Sequence, residues 1–325
     1  MIGRTVLAVA AAEAVMVVIT VTVALDIYAH RRVENLGGVN VWGYRGPVAA
    51  EPRPDDIRIV IVGGTRAFGW GQSATVLGSQ IRRLMLLSID RPGARLRPVT
   101  IVNLGRLGAL PESYPDTLDH FAYLQPDIVC VYDDLGVRGA VPTERSSAIF
   151  ELTGYSPILP LVLREKGMAW RMGDVNRAYA TESTTDTPVP LIRRGAGRAL
   201  EAIGSGLAAA DRFAARRLGS SRKVDPSYAS EMIAVVEAAH RHAHAVVVAV
   251  SPAETAEQAE NLRALTARLR TTIGANGWLR FINLGADARL RDRSLRLDGW
   301  DYGGEATTMV AEAMTPVFLS LVEQR

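Results

Sequence analysis

The 325-residue sequence has a single cysteine, Cys130, and its only lysines are Lys166 and Lys223. One cysteine excludes an internal disulfide and a zinc site built from cysteines. Arginine therefore supplies nearly all of the positive charge behind the formal net charge of +3. That charge is not gathered on a recognisable nucleic-acid-binding module, so we expect no nucleic-acid partner. With 48% hydrophobic and 22% charged residues, the composition excludes a disordered, collagen-like or coiled-coil chain.

One long apolar run opens the sequence, from Thr5 to Leu25, and only Glu13 interrupts it. At 1.5 Å per residue the run is about 30 Å long, the thickness of a hydrocarbon core. It ends without the small-x-small exit of a cleavable signal, which predicts an uncleaved anchor over residues 5–27 behind a tail of residues 1–4. Glu13 fits either a contact with an integral-membrane partner helix or a carboxyl group that reaches the near interface.

After a linker over residues 28–56, β-branched runs alternate with helical patterns. The predicted strands are Ile57–Val62, Val99–Asn103, Asp127–Tyr132, Ala245–Val250 and, more weakly, Leu279–Leu284. The predicted helices are Val76–Ser88, Tyr114–Leu124, Tyr228–His242, Thr255–Gly274 and Gly304–Val322. This alternation predicts a doubly wound parallel α/β domain over residues 57–325, with ligands bound where the strands end.

An inserted segment over residues 143–226 interrupts the alternation and is strongly basic in its second half. From Leu191 to Lys223 eight basic residues face only Glu201 and Asp211. An alanine-rich basic helix suits two roles equally well. It would lie on an anionic membrane surface, or it would be a solvated helix that covers the sheet.

The first predicted strand ends in Gly63 and Gly64, and a glycine-rich turn there would suit the pyrophosphate of a dinucleotide. The spacing through Gly69 and Gly71 does not match G-x-G-x-x-G, so we disfavour that interpretation and expect no cofactor.

Five sequence blocks, in order at the predicted strand ends, resemble the SGNH (GDSL-type) esterase superfamily in its membrane-anchored bacterial branch. They are Gly43-Tyr-Arg-Gly-Pro47 with Arg58-Ile-Val-Ile-Val-Gly-Gly-Thr-Arg-Ala-Phe-Gly-Trp-Gly71, Asn103-Leu-Gly-Arg-Leu-Gly108, Pro126-Asp-Ile-Val-Cys-Val-Tyr-Asp-Asp-Leu-Gly136, Val246 to Pro252, and Asp298-Gly-Trp-Asp-Tyr-Gly-Gly-Glu305. The resemblance implies a three-layer, flavodoxin-like α/β/α fold. It also implies an extracytoplasmic domain, whereas the positive-inside rule would place the basic residues after the anchor in the cytoplasm.

The chain departs from this family at its catalytic positions. The resemblance places the nucleophilic serine on Thr65, the oxyanion asparagine on or beside Gly136, and the histidine base on Asp301. Only Gly105, an oxyanion donor, and Asp298 keep the expected residue types. Aspartate has a reference pKa of about 3.9 and is a feeble base toward an alcohol, so these replacements predict a degenerate site.

Charged residues surround the predicted site: Arg66, Arg106, Asp133, Asp134, Asp298 and Asp301. Three arrangements remain open. They are arginine–aspartate pairs that close a disused cleft, a groove for a glycan with Trp70 or Trp300 as a stacking surface, and a carboxylate site for a divalent metal. The first is preferred, so the prediction includes no metal.

Three histidines at alternate positions, His240, His242 and His244, fall at the opposite edge of the predicted sheet. We expect no acidic neighbour at hand, so they favour a surface cluster over a metal site.

The sequence therefore predicts a non-catalytic binding or accessory subunit, anchored at the cell envelope. The family resemblance implies that it works beside an integral-membrane partner that handles acylated polysaccharide or lipid-linked sugars. An active esterase or acyltransferase that uses Thr65 is the alternative.

Overall fold

The computed structural model describes residues 2–34, 40, 42–46, 48–69, 77–89, 97–106, 109–136, 149, 157–173, 189–218, 227–272, 277–295 and 304–324. The helices are α1 (Ile2–Glu34), α2 (Thr65–Phe68), α3 (Leu77–Ile89), α4 (Tyr114–His120), α5 (Leu159–Met172), α6 (Leu191–Leu218), α7 (Tyr228–His242), α8 (Ala256–Thr272) and α9 (Gly304–Glu323). The strands are β1 (Ile57–Gly63), β2 (Val99–Asn103), β3 (Ile128–Asp133), β4 (Ala245–Val250) and β5 (Leu279–Asn283).

The five strands form one parallel sheet in the order β2-β1-β3-β4-β5. This is the flavodoxin-like order, in which ligands bind beyond the carboxyl ends of the strands. Two predicted strands, β2 and β4, and the helix α7 have the predicted bounds, and the remaining strands differ by one residue. The helix expected over Tyr114–Leu124 is wrong at its end. It stops at His120, because Phe121 leaves helical geometry before a 3-10 turn over Ala122–Leu124.

Two apolar layers enclose the sheet. On one face, alternate strand residues such as Val60, Val129 and Val246 share a core with α4, α7 and α8. On the other, residues such as Ile59, Cys130 and Val247 share a core with α3 and α9. Continuous burial on both faces explains the β-branched runs, and the predicted three-layer α/β fold is confirmed.

Part of the predicted linker is built into the domain. Asn40 is buried and its side-chain amide donates to the Gly46 carbonyl at 3.0 Å. The Arg45 N–H donates to the Asn103 carbonyl at 2.9 Å, which adds one antiparallel bridge to the end of β2. The segment 40–46 therefore docks at the carboxyl edge of the sheet.

The basic helix α6 packs along α5. Among the described residues, the helices that share the two sheet cores are α3, α4, α7, α8 and α9. The second role considered for α6, a helix that covers the sheet, is therefore not seen in this part of the chain. The start of α5 in turn contacts α1.

Candidate functional site

The site begins with the sharp turn between β1 and α2. A Cβ atom at Gly63 would lie 2.0 Å from the Tyr132 carbonyl oxygen, and one at Gly64 would lie 2.9 Å from the Ala109 carbonyl oxygen. Glycine at both positions therefore lets β1 run close beside its neighbours before the chain turns. Thr65 follows as the first residue of α2 and is half-buried. The turn places the predicted nucleophile position at the carboxyl edge of the sheet.

Asn103, at the end of β2, fixes the second loop against α2. Its side-chain amide donates to the Ala67 carbonyl at 2.8 Å, and its Oδ1 accepts from the Gly105 N–H at 2.8 Å. A Cβ atom at Gly105 would lie 2.3 Å from the Phe68 nitrogen. The N–H that the family resemblance assigns to the oxyanion is thus bonded to Asn103 in this structure. The sequence did not identify this role for Asn103.

Arg66 joins the ends of three strands. Its side chain is only 3% exposed; Nε lies 3.3 Å from Asp134 Oδ1, and Nη2 lies 2.9 Å from Glu254 Oε1. The Ser251 hydroxyl donates to the same Asp134 oxygen at 3.1 Å. The predicted arginine–aspartate pairing is found for Arg66 and Asp134. Glu254 and Ser251 were missed, although both follow β4 at the edge where a ligand site was expected.

A glutamine holds these loops together. The Gln258 Oε1 accepts from the backbone N–H groups of Glu254 and Thr255 at 2.7 and 3.0 Å. Its amide donates to the Asp134 carbonyl oxygen at 3.1 Å. These bonds connect the loop after β3 to the loop after β4. The backbone that carries Asp134 and Glu254 is therefore held in place around Arg66.

The side chain of Asp133 points toward two buried tyrosines, whereas that of Asp134 joins Arg66. Its two oxygens each accept a hydrogen bond of 2.7 Å, from the hydroxyls of Tyr114 and Tyr228. Burial, and then the charge of Asp133, raises the pKa of both tyrosines well above the ordinary value near 10. Asp133 was expected to line the pocket, and the structure instead buries it as a brace between β3, α4 and α7.

The position that the resemblance assigns to the oxyanion asparagine, Gly136, requires a glycine. Leu135 and Gly136 both have positive φ, at 59° and 82°. A Cβ atom at Gly136 would lie 3.1 Å from the Tyr228 ring and 3.2 Å from Asn261 Nδ2. The Gly136 N–H donates to Asp133 Oδ1 at 3.2 Å. A side chain here would be strained and crowded at once.

Two further arginines, Arg106 and Arg45, lie near α2 and the loop that follows β2. The Arg106 guanidinium is 5.8 Å from the centre of the Phe121 ring, and its backbone N–H donates to the Gly63 carbonyl. The Arg45 guanidinium is 4.4 Å from the centre of the Phe68 ring. Arg45 was not among the predicted site residues.

The remaining predicted site residues, Asp298, Asp301, Trp70 and Trp300, lie outside the described residues. Within the part of the chain that the structure describes, no three histidine, cysteine or acidic side chains are grouped as metal ligands.

The histidines of the α/β domain lie at the opposite edge. His120 ends α4 and His242 ends α7. The His242 Nε2 lies 2.7 Å from Asp119 Oδ1, so the expectation that this cluster lacks an acidic neighbour is wrong. Asp119 was missed because α4 brings it in from a distant part of the sequence.

The other two histidines are also placed away from Thr65. His240 stacks on Trp278 with ring centroids 3.8 Å apart. The His244 N–H donates to the Asp127 carbonyl just before β3. The fifth histidine of the sequence, His30, belongs to α1. The carboxyl edge therefore receives no histidine from α4, from α7 or from the residues just before β4.

No protein-family model and no curated protein sequence matches the chain. Among solved structures it is similar to a family 3 carbohydrate esterase from Clostridium thermocellum, with 10% identity, a TM-score of 0.45, and coverage of 83% of this chain and 98% of that one. It is also similar to a lipolytic protein of the G-D-S-L family from Desulfitobacterium hafniense, with 13% identity, a TM-score of 0.41, and coverage of 80% and 98%.

The chain has a flavodoxin-like parallel α/β fold. The ends of its strands carry glycine turns and a buried ion cluster.

Proposed function

We propose that this SGNH-type protein is a non-catalytic binding or accessory subunit, anchored in a membrane at the cell envelope. One observation carries the proposal. The histidines of the domain all belong to the amino-terminal edge of the sheet, on the other side from Thr65. Hydrolysis by a hydroxyl nucleophile needs a base with a pKa near the working pH, and histidine is the usual one.

The elements around Thr65 support the same proposal. In a comparable site, loss of the base alone costs on the order of 10⁶ in turnover. The Gly105 N–H is already bonded to Asn103, and Gly136 offers no side-chain donor. Loss of one oxyanion donor costs about 2.7 to 4 kcal/mol. These losses act on the same step, so ordinary ester hydrolysis is not expected.

The anchor is α1. Its stretch Ala12–Ala29 is long and apolar enough to cross a membrane, and a signal sequence would pass the same test. We assign it as an uncleaved span with the α/β domain on the extracytoplasmic side. Glu13 is exposed at the start of this stretch, where a carboxyl group suits a hydrogen bond to an integral-membrane partner.

The proposed ligand is polar and uncharged or acylated, such as a glycan. The Arg66 guanidinium is already paired with Asp134 and Glu254, and the three side chains together carry one net negative charge, which disfavours an anionic ligand. The exposed ring of Trp42, in the docked segment 40–46, offers a stacking surface for a sugar.

An esterase assay tests the proposal against the alternative, an active esterase or acyltransferase that uses Thr65. The full chain in detergent is assayed with p-nitrophenyl acetate and butyrate, and labelled with a fluorophosphonate. Thr65→Val is compared with the wild type and with Thr271→Val, a threonine on α8 far from the site. We expect all three proteins to give the same background rate and no label. Turnover or labelling that disappears in Thr65→Val alone would establish the enzyme instead.

A further inference from the structure

One face of α6 is apolar and exposed. Leu191 and Ile192 are 83% and 86% exposed, and Ile203 and Phe213 are 54% and 61% exposed. The helical period places these four side chains on one side of the helix, together with the exposed residues Ala199, Ala202, Ala209 and Ala210. From Leu191 to Phe213 this outward face extends over about 33 Å, at 1.5 Å per residue.

The opposite face fixes how α6 is turned. A Cβ atom at Gly197 would lie 2.5 Å from the Gly167 carbonyl oxygen, and one at Gly204 would lie 2.6 Å from the Pro160 carbonyl oxygen. The α5 and α6 backbones therefore approach closely along this side. The outward face cannot turn inward unless the two backbones separate.

The acidic side chains of α6 are engaged away from the outward face, and two of its arginines border that face. The Glu201 carboxylate accepts from Arg171 of α5 at 2.8 Å, and Asp211 accepts from the Ile149 N–H. Both acidic groups of α6 are thus engaged on the hairpin side. Arg194 and Arg198 are exposed, one turn apart, along the border of the outward face.

The hairpin of α5 and α6 starts at the end of the proposed anchor. Asp26 of α1 is 4% exposed, and its carboxylate accepts from the Leu159 N–H at 2.7 Å and from the Ile158 N–H at 3.4 Å. The carboxylate thus caps the first turn of α5. Asp26 lies three residues before the end of the stretch Ala12–Ala29. The bond therefore holds the hairpin at the level where α1 leaves the bilayer.

We propose that the outward face of α6 lies in the interface of an anionic membrane leaflet, on the same side as the α/β domain. An apolar face bordered by arginines matches the boundary between acyl chains and anionic headgroups. A lipid surface is favoured over a protein partner because the tether through Asp26 already brings the helix to the bilayer. The inference rests on α1 being a membrane anchor, as proposed above.

A fluorescent label on the outward face tests the inference. The full chain carrying Phe213→Cys is labelled with an environment-sensitive dye and placed in nanodiscs of equal parts phosphatidylglycerol and phosphatidylcholine. The native Cys130 is buried, which raises its pKa to about 12, and it stays unlabelled. Leu87→Cys, at an exposed residue of α3, is the matched control. Ile203→Cys replaces Phe213→Cys if that variant fails to fold.

We expect a blue-shifted emission at position 213 that lipid-borne quenchers reduce, and a water-like emission at position 87. Arg194→Gln with Arg198→Gln lowers the embedded population about fivefold for each positive charge removed. Nanodiscs of pure phosphatidylcholine also lower the embedded population, because they offer no anionic headgroup to either arginine. The corresponding lysine variants retain the embedded population.

Emission at position 213 that matches position 87 would overturn the inference. Shielding from water without quenching by lipid would also overturn it, since a protein would then cover the face. Retention in the nanodisc separates this failure from failure of the anchor. A chain that is not retained contradicts the anchor and the inference together, whereas a retained chain with a water-like label contradicts only the inference.

Discussion

Arg66 and Glu254 are separated by 188 residues in the sequence, and their side chains meet at 2.9 Å with little access to water. Together with Asp134, they place a buried ion cluster directly after Thr65, the position to which the sequence resemblance assigns the nucleophile. A buried cation between two carboxylates is stable only while the set is complete, because an unpaired charge inside a protein is costly.

Removal of Arg66 is therefore expected to destabilise the chain more than removal of Glu254. Arg66→Met leaves two carboxylates without their cation and lowers the free energy of unfolding by about 3 to 5 kcal/mol. Glu254→Gln leaves Arg66 with Asp134 and costs about 1 to 3 kcal/mol. Urea unfolding of the full chain in detergent measures both. Arg263→Met, at an exposed pair with Glu260 on α8, costs under about 1 kcal/mol. Equal losses at Arg66 and Arg263 would contradict the cluster.

Gly105 is expected to tolerate no side chain. Gly105→Ala places a methyl group against the backbone of α2, so the turn at Thr65 shifts and the free energy of unfolding falls by about 1 to 3 kcal/mol. Gly277→Ala is the control, because in the described part of the chain nothing beyond its chain neighbours lies within 4 Å of its added Cβ position. Thermal unfolding compares the two variants. A Gly105→Ala chain as stable as Gly277→Ala would show that α2 moves freely.

The brace around Asp133 is expected to make stability fall at high pH. Tyr114 and Tyr228 have raised pKa values in the folded chain, so they ionise more easily when unfolded. Their contribution is present below about pH 10 and is lost as the pH rises above it. Unfolding free energies between about pH 8 and pH 12 measure the slope. Tyr114→Phe reduces this slope by about 1.4 kcal/mol per pH unit above pH 10. An unchanged slope would place the Tyr114 hydroxyl in water.

The cap at α5 is expected to depend on the Asp26 carboxylate. Asp26→Ala removes the acceptor for the Leu159 N–H and destabilises the start of α5 by about 0.5 to 2 kcal/mol. Asp26→Asn keeps an acceptor oxygen and has a smaller effect. Hydrogen exchange at the Ile158 and Leu159 amides reports the difference. Exchange that is as slow in Asp26→Ala as in the wild type would mean that α1 does not cap α5.

The strands were predictable from the sequence because their signal is local. A run such as Ala245–Val250 is buried on both faces, and burial of this kind needs consecutive apolar residues that the sequence displays directly. The glycine turn before Thr65 was also predictable. β1 approaches Tyr132 so closely that only glycine fits at position 63, and the pair Gly63-Gly64 displays this requirement directly in the sequence.

The site was predictable only in part because its contacts are not local. No spacing rule connects Arg66 to Glu254, or Asp119 to His242. The direction of Asp133 did have a signal. It follows Val129 and Val131 at alternate positions of β3, so its side chain belongs to the face that holds Tyr114 and Tyr228.

The docked segment 40–46 limits how far the domain can travel. Five residues, 35–39, separate Glu34 at the end of α1 from the buried Asn40, and the six Cα–Cα steps of a fully extended chain cover about 20 to 22 Å. Since Arg45 in the same segment is bridged to the end of β2, the tether is shorter than a bilayer is thick. With α1 as the proposed anchor, the carboxyl edge of the sheet would sample only the layer of solution next to the headgroups, and the proposed ligand would have to come to that layer to be bound.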